Sequence, residues 1–528
     1  MDDRKRTRSG VSLQPFYSKE GAESPGVFPF TRGRFAQPRT GGWQQRELSG
    51  EGDGKRSNQQ IKYLLELGQD GVDIIGDGPT MSMFDADHPL LESSVGTQGV
   101  SLCCKQDYID LFRDIPLDKV AVSSSVPSLM SLAGLLCAAK HYGYPPDAVR
   151  GSVLQMPLYG EDCTYANHLP VELRVRLSLD CMEYCARHMP KFHAYVEDTY
   201  FFSESGLDAV EEMALGFVEI RHLTRKLLER GVEIDAFAPR IAILVNCGMD
   251  FFEEVAKLRA SRRIFARTMR DEFGARDPRS QTVVLTSHTS GLSLTAQQPV
   301  NNISRGALQA LSLVLGGAHA IEISTFDEAY RTPSQEGHLV GLRTQQIIET
   351  ETGVTRVVDP LGGSHFVEWL TDEIETRILT RIEEIENAGD IEAIQERGYF
   401  RDIFHSAMEE GQRAVQKEEL SIVGVNCHVV PEEEDQLLKD IAETKIEACK
   451  TQTERVRNLK RTRDQTAAKD SMRGLATAVR DGGNLVPVVM QCFEADVTVG
   501  EMAGIMRLVT NRPYDPYAMI EPTIELPL

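Results

Sequence analysis

No stretch of the 528-residue chain approaches the ~20 consecutive apolar residues that a membrane-spanning helix requires. The N-terminal residues include Asp2, Asp3, Arg4, Lys5, Arg6 and Arg8, and no apolar segment follows them, so a secretory signal is not expected. The ten cysteines are scattered and form no disulfide framework, which makes a reducing cytoplasm the expected location. Positive charge is in deficit: 57 Lys and Arg stand against 79 Asp and Glu, a net charge of −22. Nucleic acid and anionic membranes repel such a surface, so neither is an expected partner, although a local basic patch for a phosphorylated ligand remains compatible.

Familiar catalytic signatures are missing as well. There is no GxGxxG, HExxH, GxSxG or EF-hand loop. Ser49–Ser57 has the glycines and lysine of a phosphate loop, but Arg56 follows Lys55 where a Ser or Thr would hold magnesium. Neither Cys103-Cys104 nor the Cys181/Cys185 pair has companion ligands at zinc spacing, so no metal site is expected.

What remains is a soluble globular composition, 41% hydrophobic and 26% charged. From about residue 60 to 400, short apolar or β-branched runs alternate with amphipathic stretches. The runs are 71–75, 119–123, 148–154, 192–196, 240–245, 281–287, 319–324 and 353–358; the stretches include 207–230 and 251–273. Eight β-then-α units predict an α/β protein with a parallel sheet closed as a (β/α)8 TIM barrel. The rival, an open doubly wound sheet, calls for a Gly-rich first turn that is not present. Three regions are therefore expected: an extended N-terminal arm over 1–60, the barrel over 61–400, and a C-terminal helical region over 401–528. In that last region Leu437, Leu438, Ile441, Ile446 and Ala448 recur at helical spacing, as in helices that pack on another surface such as a neighbouring subunit.

Barrel chemistry sits at the C-terminal ends of strands. This rule selects Asp77, Gln155 and the loop to Thr164 and Tyr165, then Glu197, Asp198, Tyr200, Phe201 and Glu204. It also selects His288 to Gly291, Ser324 to Glu328, and Asp359 to His365. Each has a plain structural alternative: His288 as a satisfied strand-end histidine, Asp359 as the closing residue of a turn.

Several segments, taken together and in order, resemble the methylmalonyl-CoA mutase family. They are Pro25-Gly26-Val27-Phe28-Pro29-Phe30, Asp85-Ala86-Asp87-His88-Pro89, Asp250-Phe251-Phe252-Glu253-Glu254, Thr289-Ser290-Gly291, Phe326-Asp327-Glu328-Ala329 and Asp359-Pro360-Leu361-Gly362-Gly363-Ser364. The resemblance covers residues 10 to 520. It implies a barrel that encloses an acyl-CoA and an adenosylcobalamin-dependent 1,2-rearrangement of its carbon skeleton. The family's cobalamin-binding motif, Asp-x-His-x-x-Gly, is not found. The resemblance therefore implies a substrate-binding subunit in a hetero-oligomer, with cobalamin held mainly by a small partner subunit.

Site residues carried over from the resemblance are as follows. Arg46 contacts CoA, with Phe35, Gln37 and Ser152 also on the substrate. Gly50 allows close approach to the adenosyl group, Glu204 lies near cobalamin, and Glu328 holds the ribose. Elsewhere the chain departs from the family. Leu48 replaces a Tyr over the substrate, Thr164 replaces the Arg that pairs with a substrate carboxylate, and Ser324 replaces an Asn. Tyr200-Phe201 replaces Tyr-His, removing a donor to the thioester carbonyl. His288, in place of a Gln, either takes over that donation, which with Tyr200 makes it the catalytic candidate, or contacts the cofactor. A buried Arg–carboxylate pair is strong and costly to break. Its loss here implies an acyl-CoA without a free carboxylate, branched, aliphatic or hydroxylated. Two competing readings stand beside the mutase subunit. One is a mutase-derived binding or assembly protein with the chemistry lost; the other is a cofactor-free lyase or hydrolase, which lacks a self-contained catalytic set.

Overall fold

A computed structural model describes residues 6–7, 9, 11–19, 21–435 and 446–525. Nine strands occur: β1 (Gln44–Arg46), β2 (Leu48–Ser49), β3 (Gly71–Ile74), β4 (Ala121–Ser124), β5 (Gly151–Gln155), β6 (Phe192–Asp198), β7 (Ile241–Cys247), β8 (Val284–Thr289) and β9 (Ala320–Glu322). Their order in the sheet is β1-β9-β8-β7-β6-β5-β4-β3-β2. Only Glu47 separates β1 from β2. The order therefore begins and ends on one stretch of chain, which is the eight-stranded (β/α)8 arrangement with its first strand broken in two. An α/β barrel with helices at its C-terminal end is what the alternation predicted.

Contacts divide the chain into two compact units. The first comprises Met1–Glu47 with Glu197–Thr444, the second Leu48–Val196 with Lys445–Leu528. In the first unit β1, β9, β8 and β7 pair in parallel, with Gln44 opposite Ala320, Thr286 opposite Ala320, and Asn246 opposite His288. All seven residues of β7, Ile-Ala-Ile-Leu-Val-Asn-Cys, are buried, as expected for a parallel strand covered on both faces. Helices start where the sequence supplies caps. The Asp208 carboxylate accepts from Val210 N and Glu211 N to open Ala209–Glu229, and Asp250 accepts from Glu253 N to open Phe251–Arg267.

In the second unit β2, β3, β4 and β5 pair in parallel. The helices Lys450–Thr462, Gln465–Asp481, Val486–Glu494 and Val499–Val509 pack within this unit. Arg455 pairs with Asp107 and Asp110, and Lys460 pairs with Asp85 and Asp87. These contacts account for the helices within the chain itself. Leu437, Leu438 and Ile441 lie outside the described residues; Ile446 and Ala448 precede the first of these helices.

Two strand expectations are corrected. Residues 353–358 are not a strand: Gly353 takes φ +76° and a 3-10 turn follows over Val354–Arg356. Their β-branched side chains lie beside the arm, where Val358 N donates to Pro15 O, and β propensity alone does not decide such a site. The true first strand, β1 with β2, falls in the segment expected to be irregular. Four of its five residues are polar, so it gives no apolar run to recognise. The loop that imitates a phosphate site is also closed off. Asp53 caps the helix Gly54–Glu66 by accepting from Lys55 N and Arg56 N, so the backbone donors there are already used.

Candidate active site

Three strands of the first unit, β7, β8 and β9, and the helix Tyr200–Glu204 deliver side chains at one end. The helix Tyr200–Glu204 follows β6, Asn246 lies in β7, His288 to Gly291 end β8, and Ser324 to Glu328 follow β9. Glu204 is the hub. Its Oε1 accepts from Asn246 Nδ2 at 2.7 Å and from Ser290 Oγ at 2.7 Å, and its Oε2 accepts from Leu292 N at 2.8 Å. Burial still raises its pKa against these donors. Gly291 is needed here, because a Cβ would sit 3.1 Å from Glu204 Oε2 and 3.3 Å from the Tyr200 hydroxyl.

His288 lies within β8 rather than after it, and its ring stands 4.8 Å from that of Tyr200 at 70°. Burial, followed by the Arg46 guanidinium, pushes its imidazole down to about 3, so the ring is neutral at physiological pH. Its Nε2 is buried with no hydrogen-bond partner, an arrangement that costs free energy unless a ligand satisfies it. Tyr200 stays a phenol, because burial and the Glu204 and Glu328 carboxyls raise its pKa well above the ordinary value. Glu328 is pushed up to about 8 by burial, which with Asp327 and Glu204 outweighs the influence of the neighbouring Ser324 hydroxyl and the Thr325 backbone. Its Oε1 is likewise buried without a partner. Ser324 is fixed by its hydroxyl, which donates to Thr289 O at 2.7 Å.

A buried ion cluster supports this end. Lys257 Nζ donates to Glu212 Oε2 and lies 2.7 Å from Glu254 Oε2, while donating to Asn246 O at 2.9 Å. Glu212 Oε1 in turn accepts from Asn246 N. Burial opposes the charge on Lys257, and the two carboxylates overcome it, so its pKa stands above the ordinary lysine value. Asn246 is thereby held from both sides where it meets Glu204. Neither Asn246 nor Lys257 was singled out from the sequence, because Lys257 reads as an ordinary helix residue until the fold buries it.

The opposite end of the same strands is cationic. Phe35 lies 5.9 Å from His319, the residue before β9, and is 41% exposed. Arg34 and Arg39 lie over its ring at 5.6 and 5.5 Å. Burial, then Arg39 and Arg240, lower the pKa of Arg34, a sign of crowded positive charge. Gln37 and Arg39 line both a cavity of about 110 Å³ shared with Phe35 and a neighbouring one of about 850 Å³ that reaches Thr355 and Arg356. The density of arginine in Arg32-Gly33-Arg34-Phe35-Ala36-Gln37-Pro38-Arg39 was the available signal for this cluster.

Four residues of the second unit (Leu48, Gly50, Ser152 and Thr164) and two more of the first (Asp359 and Phe201) are placed as follows. Leu48 lies on β2, half-buried, opposite Asp73. Gly50 has φ +153°, and a Cβ there would be 2.4 Å from Ile75 O, which gives the glycine a backbone reason of its own. Ser152 Oγ donates to Ser123 Oγ at 2.9 Å. Thr164 Oγ1 donates to Gly160 O at 3.1 Å, so its hydroxyl closes the turn after Gly160–Cys163. Asp359 is not at a strand end. It forms ion pairs with Arg32 and Arg259, and thereby ties the arm to the helix Phe251–Arg267. Phe201 packs against Tyr200 with ring centroids 5.5 Å apart.

An eight-stranded parallel barrel with polar side chains gathered at the C-terminal strand ends defines a (β/α)8 barrel enzyme. The model of the methylmalonyl-CoA mutase family matches residues 6–512, and the chain belongs to that family. It is 33% identical over 483 residues to the 2-hydroxyisobutanoyl-CoA mutase large subunit of Aquincola tertiaricarbonis, covering 90% of this chain and 85% of that one. It is 34% identical to the methylmalonyl-CoA mutase of Rhizobium meliloti (95% and 72% covered) and 31% identical to the human mitochondrial methylmalonyl-CoA mutase (95% and 68%). The protein is thus an isomerase of the mutase kind. No helix among the described residues is long and apolar enough to cross a membrane.

Proposed function

We propose that this chain is the substrate-binding subunit of an adenosylcobalamin-dependent acyl-CoA mutase, in the cytoplasm, acting on an acyl group without a free carboxylate. The observation that carries the reading is the polarity of the first unit. The Arg34, Phe35 and Arg39 cluster suits an adenine and its phosphates, and the opposite end suits a neutral reacting group. At that second end Tyr200, His288 and the raised Glu328 carboxyl are uncharged near neutral pH, and the Glu204 carboxyl offers an added carboxylate no attraction. Leu48 and Thr164 supply no cation.

The residues present also suit the nucleoside part of the cofactor. The orphaned Glu328 Oε1 can take a ribose hydroxyl, with Glu204 and Ser324 beside it. Cobalamin would be held chiefly by a small partner subunit. When bound, adenosylcobalamin supplies the hydrogen-abstracting chemistry. The protein's part is to orient the thioester, to exclude water, and to hold fixed dipoles at the acyl group. His288 Nε2 donates a hydrogen bond to the thioester carbonyl, and its low pKa keeps it from acting as an acid. Tyr200 packs against that ring and fixes its plane.

The test is turnover of an acyl-CoA panel by the chain reconstituted with adenosylcobalamin and the small cobalamin-binding subunit of a two-subunit acyl-CoA mutase, followed by mass spectrometry of the isomeric products. Isomerisation of isobutyryl- or 2-hydroxyisobutyryl-type thioesters is expected. A strong preference for methylmalonyl-CoA would overturn the substrate class, and no turnover of any thioester would favour a scaffold whose chemistry is lost.

A further inference from the structure

Scattered exposed apolar residues are ordinary on a protein surface, but a contiguous aromatic row is not. Phe252 on the helix Phe251–Arg267 and Phe366 and Trp369 on the helix His365–Asn387 form such a row. The Phe252 and Phe366 rings are 5.5 Å apart at 76°, and the Phe366 and Trp369 rings are 6.2 Å apart at 25°. The three are 42%, 50% and 59% exposed, and Met249, three residues before Phe252, is 47% exposed. The helix Phe251–Arg267 begins just after β7, so the row lies at the same end of this unit as Asn246 and Glu204.

One flank of the row is anionic. Glu253 is surrounded by Asp250, Glu254, Asp208 and Lys257. Lys257 is taken by Glu212 and Glu254, and Asp208, Asp250 and Glu253 have no ion pair among the described residues. On the helix His365–Asn387 itself nearby acids are matched, Glu368 by Arg259 and Asp372 by Arg263. A second copy of this face would bring the unmatched carboxylates together, whereas a basic partner would neutralise them.

We propose that the Met249, Phe252, Phe366 and Trp369 face docks the small cobalamin-binding subunit, through an apolar segment of that chain flanked by Lys or Arg on the side of Glu253. This rests on the mutase reading, which requires another chain to reach this end of the barrel. Aromatic anchors at the centre with charge at the edge are the usual anatomy of such a contact.

The test uses the full chain with the small cobalamin-binding subunit of a two-subunit acyl-CoA mutase, and measures affinity by calorimetry at two salt concentrations. The double substitution Phe366→Glu, Trp369→Glu is expected to weaken binding at least tenfold. Glu253→Lys is expected to weaken it severalfold and to flatten its salt dependence. CoA binding and the mass of the chain alone should stay unchanged in both variants, which also reports correct folding. Partner affinity within twofold of the parent overturns the docking face while leaving the mutase reading in place. A change in the chain's own oligomeric state assigns the face to a second copy instead. Failure of the parent chain itself to bind the cobalamin-binding chain defeats the mutase reading and the docking face with it.

Discussion

The two ends of the first unit are built on the same strands and carry opposite electrostatics. At the end where β9 begins, Arg34, Arg39 and Arg240 crowd one another and Arg34 loses basicity. At the end where β9 stops, burial raises the pKa of both Glu204 and Glu328, and at Glu328 the Asp327 and Glu204 carboxyls add to it. Burial disfavours charge at both clusters, reinforced by neighbouring arginines at one and by neighbouring carboxyls at Glu328 in the other, and each suits a ligand of the complementary kind. A molecule with an anionic tail and an uncharged head satisfies both at once, which neither end would reveal alone.

That contrast can be broken experimentally. The largest effect is expected from Lys257→Met, which leaves Glu212 and Glu254 buried without their cation. A loss of about 3–5 kcal/mol in urea unfolding is expected, and adding Glu212→Gln to it should recover part of that loss. Next is His288→Phe, which removes a neutral donor from the reacting end. Turnover should drop on the order of tenfold or more with little change in KM, and no step in the pH profile between 5 and 8 should disappear, because His288 titrates at about 3. Arg34→Ala acts at the other end. CoA affinity should fall about tenfold, the loss should shrink at high salt, and kcat should hold.

The smallest effect concerns pH. The folded-state pKa of Glu328, about 8, lies above its unfolded value near 4.5. Between those values the folded protein binds the extra proton, so stability decreases as pH rises through that window. Glu328→Gln should flatten the decline in Tm between pH 5 and 8. An unchanged slope would mean that the carboxyl is better solvated than its burial implies.

The sequence made seven of the eight barrel strands legible, because each is a short apolar run followed by an amphipathic stretch. It hid the first, where Gln44, Gln45 and Arg46 put polar groups into a buried strand, and it offered Val354 to Val358 in its place. At the C-terminal strand ends, strand position and the family resemblance singled out His288, Glu204, Ser324 and Glu328, and the structure gathers them at one end of the first unit. The resemblance also pointed to Arg46. The supporting Lys257, Glu212 and Asn246 were not legible, since their importance lies in mutual contact between residues far apart in the chain. Arg240 joins Arg34 for the same reason: sequence records neither burial nor crowding.

The ion pairs of Asp359 have a practical consequence for anyone shortening this protein. Arg32 and Arg259 reach the same carboxylate from parts of the chain more than two hundred residues apart, and Arg262 donates to Phe30 O and Thr31 O beside them. Trimming the N-terminal forty residues would strip a buried acid of one guanidinium and leave another without its acceptors. The leading segment is a clasp, and a clipped variant should betray itself by proteolysis near residue 359 before any assay of turnover is attempted.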